Sequence, residues 1–288
     1  MRYIFSGLSY TTEGGQFILD NVGTHGRRRV ALLNCPITLR RMSARFCSGW
    51  YDLSSFTPHS CPTSSQLTAN GNSCEACVKK TGYSPFFYNV PAAQISQQQR
   101  RYNASPHSVY LASFGPDLIK VGISNSGRLN DRWLDQGAIY AREIFNCADA
   151  TSARELEAFV SSSASIAEQV SVALKVKSLV RYGVAYDPKP SFERVLNLIS
   201  ESAVLGDRAG LTVDLTTYYK PERIPFSALI DVSRESPLEV SGRICFSVGG
   251  ICIFETDGLY YLCDMNRFKS HVVHFDSVMR PRQNLTLF

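Results

Sequence analysis

Two short apolar runs, Ser108-Val109-Tyr110-Leu111 and Lys120-Val121-Gly122-Ile123-Ser124, flank the turn-forming triplet Gly115-Pro116-Asp117. Runs of this length around a Gly-Pro turn read as a β-hairpin. A Ser/Asn/Gly loop follows, and then a helix that opens near Asn130 and carries Arg132 in its first turn. Hairpin, loop and helix in that order give the centre of the chain an α+β fold. An arginine at the start of such a helix offers a planar fork of donors to an oxyanion such as a phosphate ester.

The flanks differ in character. Residues 1–46 alternate apolar runs (Gln16-Phe17-Ile18-Leu19 and Val30-Ala31-Leu32-Leu33) with Gly-rich turns and read as an N-terminal β segment. Residues 47–107 combine a cysteine-rich stretch with a connector in which Ser96 caps a short helix. The α/β domain is expected over 108–222, with a helix starting at Thr151-Ser152 and another over 191–204. In 223–288, strands at Arg243–Val248, Ile251–Phe254 and Leu259–Cys263 are separated by Gly249-Gly250 and Asp257-Gly258. These read as hairpin turns of a small C-terminal β domain.

Four of the nine cysteines, Cys47, Cys61, Cys74 and Cys77, fall within 31 residues rich in Ser, Thr, Pro, Asn and Gly. Such a composition cannot build its own apolar core, and a metal would supply the missing cross-links. The two-residue gap of Cys74-Glu75-Ala76-Cys77 lets both thiolates reach one tetrahedral ion, so a structural Zn²⁺ is expected, against the alternative of four incidental thiols. His59, two residues before Cys61, can replace it as ligand. Cys35, Cys147, Cys245, Cys252 and Cys263 sit in apolar contexts and read as small buried hydrophobes.

The net charge of +5 is unevenly placed: residues 1–105 carry 11 Lys/Arg against 4 Asp/Glu, and the remainder 19 against 21. This asymmetry points to an anionic partner, whether nucleic acid, an acidic protein or carrier, or an acidic substrate; a solvated positive face is the other reading. No apolar run approaches a membrane span, and the first residues are too short for a signal peptide, so a cytoplasmic protein is expected.

The run Val109-Tyr110-Leu111, the run Lys120-Val121-Gly122 and Arg132-Trp133 together resemble the GIY-YIG nuclease superfamily. The chain is most similar to a bacterial branch that carries a cysteine-rich segment ahead of the hairpin. That likeness rests on Cys47-Ser48-Gly49, His59-Ser60-Cys61-Pro62, Cys74-Glu75-Ala76-Cys77 and Gln136-Gly137-Ala138 as well. The resemblance implies a small sheet with flanking helices. It implies Tyr110 beside the nucleophile, Arg132 on the scissile ester, and Glu157 (with Glu155 as fallback) on one Mg²⁺. Lys120 stands where the family has the second tyrosine, so it would act as a cation beside Tyr110 or bind the leaving group. Gly122, Ser124, Arg128 and Gln136 are then expected on the substrate side. The sequence departs from the family in that missing tyrosine and in a longer loop from Asn125 to Arg128.

Three functions follow. The first is a metal-dependent phosphodiesterase acting on nucleic acid. The second is a scaffold recruited to displace a sulfate or phosphate ester from a small molecule, with an acidic carrier or partner. The third is a catalytically silent binding module. An enclosed pocket holding Arg132 would favour the second over the first.

Overall fold

The computed structural model describes residues 1–24, 26–68, 70–85, 87–200, 210–221 and 223–278. In chain order its strands are β1 (Arg2–Thr11), β2 (Gly14–Asn21), β3 (Arg27–Ala31), β4 (Pro36–Arg45), β5 (Trp50–Asp52), β6 (Thr57–His59), β7 (His107–Ser113) and β8 (Ile119–Asn125). They continue as β9 (Tyr140–Cys147), β10 (Val213–Asp214), β11 (Ile230–Asp231), β12 (Glu239–Val248), β13 (Ile251–Thr256), β14 (Leu259–Asp264) and β15 (His271–Asp276). The helices are α1 (Glu75–Thr81), α2 (Gln97–Asn103), α3 (Leu129–Gln136), α4 (Ala150–Ala164), α5 (Val172–Tyr182), α6 (Lys189–Ser200) and α7 (Thr216–Tyr219). The chain is thus mixed α+β. No helix among the described residues is long and apolar enough to cross a membrane.

Two compact units emerge, the first from residues 1–50, 60–77 and 218–288, the second from 51–59 and 78–217. The first unit corrects the expectation of separate N-terminal and C-terminal β domains. Its strands join in one sheet ordered β11-β14-β13-β12-β4-β15-β1-β2-β3, in which β4 is hydrogen-bonded to both β12 and β15. The physical reason is the apolar face that each half carries. Phe5, Leu19, Leu39, Val240, Phe254 and Phe275 form one buried cluster that neither half could close alone. The expected module 47–107 is divided as well, because its cysteines belong to the first unit and residues 78–107 to the second.

On the opposite face of this sheet, Ile4, Asp20 and Arg27 lie in one cross-strand row. Asp20 is 4% exposed and accepts from Arg27 Nε and Nη2 at 2.8 and 2.9 Å, from Ser6 Oγ at 2.5 Å and from Ser60 Oγ at 2.9 Å. Arg27 Nη2 also donates to the Ser48 carbonyl at 3.4 Å. This ion pair therefore ties the loops that carry Cys47 and Cys61 to the sheet. Asp20→Ala leaves Arg27 nearly buried and uncompensated, and is expected to cost about 3–5 kcal/mol in urea unfolding.

In the second unit β10-β9-β7-β8 form an antiparallel sheet with the β7–β8 hairpin at one edge. Strand alternation sends Val109, Leu111 and Val121 into a core with Ala153 and Val160 of α4 and Phe192 of α6. Ser108, Tyr110 and Ala112 take the other face, paired with Ser124, Gly122 and Lys120. Ser96 caps α2 by accepting from Gln99 N at 3.0 Å, as its sequence suggests. The helix expected over 191–204 runs from Lys189 to Ser200, and residues 201–204 lie outside the described chain.

Candidate functional site

The hairpin face that carries Tyr110 receives α3. This helix opens one residue before Asn130 and stops where Gly137 takes φ +74°, a left-handed conformation that glycine adopts without a Cβ penalty. Its buried Trp133 meets the Tyr110 ring edge-to-face at 6.0 Å. Gln136 Nε2 donates to the Tyr110 hydroxyl at 2.6 Å, and Arg132 is a second hydrogen-bond partner of that hydroxyl. Across the hairpin Gly122 pairs with Tyr110, and Lys120 Nζ lies 5.7 Å from the ring centroid.

Glycine is required at 122 by this close approach. A Cβ there would stand 2.7 Å from both Cζ and the hydroxyl oxygen of Tyr110 and 3.1 Å from Lys120 Nζ. Tyr110 is fully buried and cannot move aside. Gly122→Ala is expected to cost about 1–3 kcal/mol in denaturant unfolding by overpacking. It should also perturb the near-ultraviolet signal of Tyr110 and Trp133.

The cations of this site are unusually placed. Lys120 is 7% exposed, and its ammonium donates to the Glu168 carbonyl at 3.1 Å. Burial, followed by the charge of Arg132, pulls its pKa down to about 8. Lys175, on α5, donates to the Gln136 carbonyl at 2.7 Å, sits 4.3 Å over the Phe114 ring, and is pulled down to about 8 by the same two causes. Burial pushes the Tyr110 hydroxyl up, with Arg132 and Gln136 working against it. The phenol oxygen is thus faced by the Gln136 amide and the Arg132 guanidinium.

Glu157 shares the buried face of α4 with Ala153 and Val160 and is 6% exposed. Its charge is felt at Tyr110 and Lys120. Arg154 Nη1 donates to Glu157 Oε2 at 2.5 Å and to Glu168 Oε2 at 2.7 Å, and its guanidinium covers the Tyr88 ring at 4.8 Å. One carboxylate oxygen of Glu157 is therefore already taken by a guanidinium. The fallback, Glu155, is exposed on the far side of the helix.

Beside the tyrosine cluster lies a cavity of ≈ 420 Å³ walled by Tyr51, Tyr83, Tyr102, Ser124, Arg128 and Arg132. Arg128 pairs with Asp135 at 3.2 Å and stacks over Tyr51 at 5.1 Å. Ser124 is buried and donates to the Asn125 carbonyl at 3.1 Å. The structure therefore places Tyr110, Lys120, Gly122, Arg132 and Gln136 in one contact group, Ser124 and Arg128 in the adjoining wall with Arg132, and Glu157 within electrostatic reach. Lys175 and the three wall tyrosines are additions that the sequence reading missed. Lys175 gave only the signal of a polar residue in an apolar helical stretch.

In the first unit, Cys47 follows β4, Cys61 follows β6, and Cys74 and Cys77 bracket the start of α1. Their four Sγ atoms lie within 4.8 Å of one another. Cys61 and Cys74 stand 3.9 Å apart, and the backbone N–H groups of Gly49 and Cys74 donate to Cys47 Sγ at 3.3 and 3.1 Å. A tetrahedral ion with sulfur ligands at about 2.3 Å holds the sulfurs about 3.8 Å apart, so these four can hold a metal ion. Burial, with the neighbouring sulfurs, pushes the Cys77 thiol up. His59 is not needed as a substitute ligand: it is exposed and its Nε2 lies 3.1 Å from Thr57 Oγ1.

The family described as Protein of unknown function (DUF2797) matches residues 36–219. The chain belongs to DUF2797. No curated protein and no solved structure matches it. The DUF2797 match contains the four cysteines, the hairpin, α3, Glu157 and Lys175, so both sites described above fall within it.

Proposed function

We propose that this DUF2797 chain has a GIY-YIG-like oxyanion site that acts on a phosphate or sulfate ester of a small molecule, with a structural Zn²⁺ on Cys47, Cys61, Cys74 and Cys77. The observation that carries the reading is the cavity in which Arg132 and Arg128 stand together beside Tyr110. A sulfuryl or phosphoryl group gathers charge on its non-bridging oxygens during displacement, and a guanidinium answers that charge with two parallel hydrogen bonds. Arg132 would grip the oxygens, Lys120 would stabilise the departing anion, and Gln136 would hold the Tyr110 hydroxyl in place. The sheet order β9-β7-β8 with α3 across the Tyr110 face supports the GIY-YIG likeness.

Two observations favour a small ester over a nucleic-acid backbone. The arginines line a cavity of ≈ 420 Å³, within the usual range of small-molecule sites. The carboxylate that would carry Mg²⁺, Glu157, is buried and engaged by Arg154. The nuclease reading draws instead on the electrostatic reach of Glu157 to Tyr110 and on exposed Arg28, Arg29 and Arg40 in the first unit. An acidic carrier or partner protein would suit those same arginines.

The readings separate when the chain is given p-nitrophenyl phosphate, p-nitrophenyl sulfate and supercoiled plasmid, each with and without Mg²⁺. Ester cleavage that needs Arg132 but not added Mg²⁺, with plasmid intact, is the expected result. Mg²⁺-dependent nicking lost in Glu157→Gln would overturn it for the nuclease. No turnover, with anion binding indifferent to Arg132→Ala, would leave a silent binding module.

The lysines give the site a pH signature. Each holds its proton less tightly than the ordinary lysine value of 10.5, titrating at about 8. Both are cations below that pH and neutral above it, so oxyanion affinity is expected to fall as pH rises through about 8. Between about 8 and 10.5 the unfolded chain keeps protons that the folded chain has released, so these groups make stability rise with pH across that window. Titration with inorganic sulfate and urea unfolding at pH 7, 8 and 9.5 check the two trends.

A further inference from the structure

The cavity beside Arg132 carries more information than its charge. Three of its wall residues are tyrosines, and among the described residues lining it the ionic groups are Arg128 and Arg132. Tyr102 is clamped by edge-to-face contacts with Phe56 at 6.3 Å, Tyr83 at 5.9 Å and His107 at 5.1 Å, so its ring is a fixed platform. Tyr83 is 43% exposed although it belongs to this aromatic group, which leaves much of its ring to a ligand. Arg128 covers Tyr51 in the manner by which a guanidinium stacks on a planar ring.

We infer that this cavity is the subsite for a planar aromatic ring joined to the oxyanion that Arg132 takes, so that the substrate class is a nucleotide, with its base on the tyrosine walls and its phosphate at the arginines. The inference rests on the oxyanion reading of Arg132 and adds the chemistry of the group that carries the ester. An acyclic aliphatic ester would leave rigid aromatic walls wet, whereas a nucleobase stacks on them whatever its sequence of ring nitrogens. The same chemistry arises from a free nucleotide or from one nucleotide of a strand.

The full zinc-loaded chain should be titrated by calorimetry with AMP, UMP, ribose 5-phosphate, adenosine and a short single-stranded oligonucleotide, alongside Tyr83→Ala and Arg132→Ala. Tyr83 is exposed enough for its truncation to leave the fold intact, which a melting curve verifies. The expected result is AMP and UMP binding at least about 10-fold tighter than ribose 5-phosphate, with a loss of roughly 10- to 100-fold for the nucleotides alone in Tyr83→Ala. Equal affinity for AMP and ribose 5-phosphate, equal weakening of both in Tyr83→Ala, or no binding of any probe would overturn the inference. Binding of the oligonucleotide without the mononucleotides keeps the base subsite and assigns it to a strand. A preference for the base that survives while Arg132→Ala leaves ribose 5-phosphate affinity unchanged would sink the oxyanion reading and keep the ring subsite.

Discussion

Stripping the four-cysteine cluster with a chelator, or replacing Cys77 by serine, is expected to remove one zinc ion per chain and to lower stability by several kcal/mol. The sulfurs lie within 4.8 Å of one another, and the segment that carries them has almost no other core, since Trp50 and Leu67 are its principal apolar neighbours. In small zinc modules the binding free energy, about 10–16 kcal/mol, is the folding free energy. Here the neighbouring sheet has its own apolar cluster, so the loss should be confined to the loops around Cys47, Cys61 and Cys74. Metal analysis, thermal melting and limited proteolysis of residues 47–77 measure the three parts. Metal-free protein with an unchanged melting temperature and an uncut loop would show that four thiols merely pack together. Iron in place of zinc would keep the structural role and change the ion.

Arg132→Ala is expected to lower kcat for ester cleavage by about 10²–10³-fold, the scale of losing one oxyanion donor. Arg132 is exposed at the cavity and its chief partner is Tyr110, so the substitution removes no core packing. Arg132→Lys should recover little, because an ammonium cannot supply two parallel donors to adjacent oxygens. The loss is expected in kcat more than in KM if the contact strengthens as charge develops. A variant with wild-type kcat would remove Arg132 from the chemistry and return the site to binding alone.

The local parts of this site were legible in the sequence because they rest on short-range rules. The Gly115-Pro116-Asp117 turn placed β7 and β8, and strand alternation then put Tyr110, Lys120, Gly122 and Ser124 on one face. The Ser/Asn/Gly loop opened α3, so Arg132 and Gln136, four residues apart, share one helical face. The spacing of Cys74 and Cys77 marked half of the four-cysteine cluster.

The remainder depended on contacts far apart in sequence. Strand β9, between Tyr140 and Cys147, has no clean alternation, and its pairing with β7 is what makes β7 an interior strand. Glu157 read as a metal carboxylate. Its burial, which forces a tight pairing with Arg154, comes from packing α4 on the sheet. Tyr51, Tyr83 and Tyr102 come from three separate stretches, so no motif could join them into a wall.

By itself, then, the sequence determined the hairpin, the helix that bears Arg132 and a set of cysteines able to hold a metal ion, since hydrogen-bonding turns, helix periodicity and thiolate chemistry act over a few residues. Only the tertiary structure decided that strands from both ends of the chain share one sheet, that Glu157 is engaged by Arg154, and that Lys120 and Lys175 titrate near 8. Each of those outcomes is set by burial, and burial is a property of which distant surfaces close on one another.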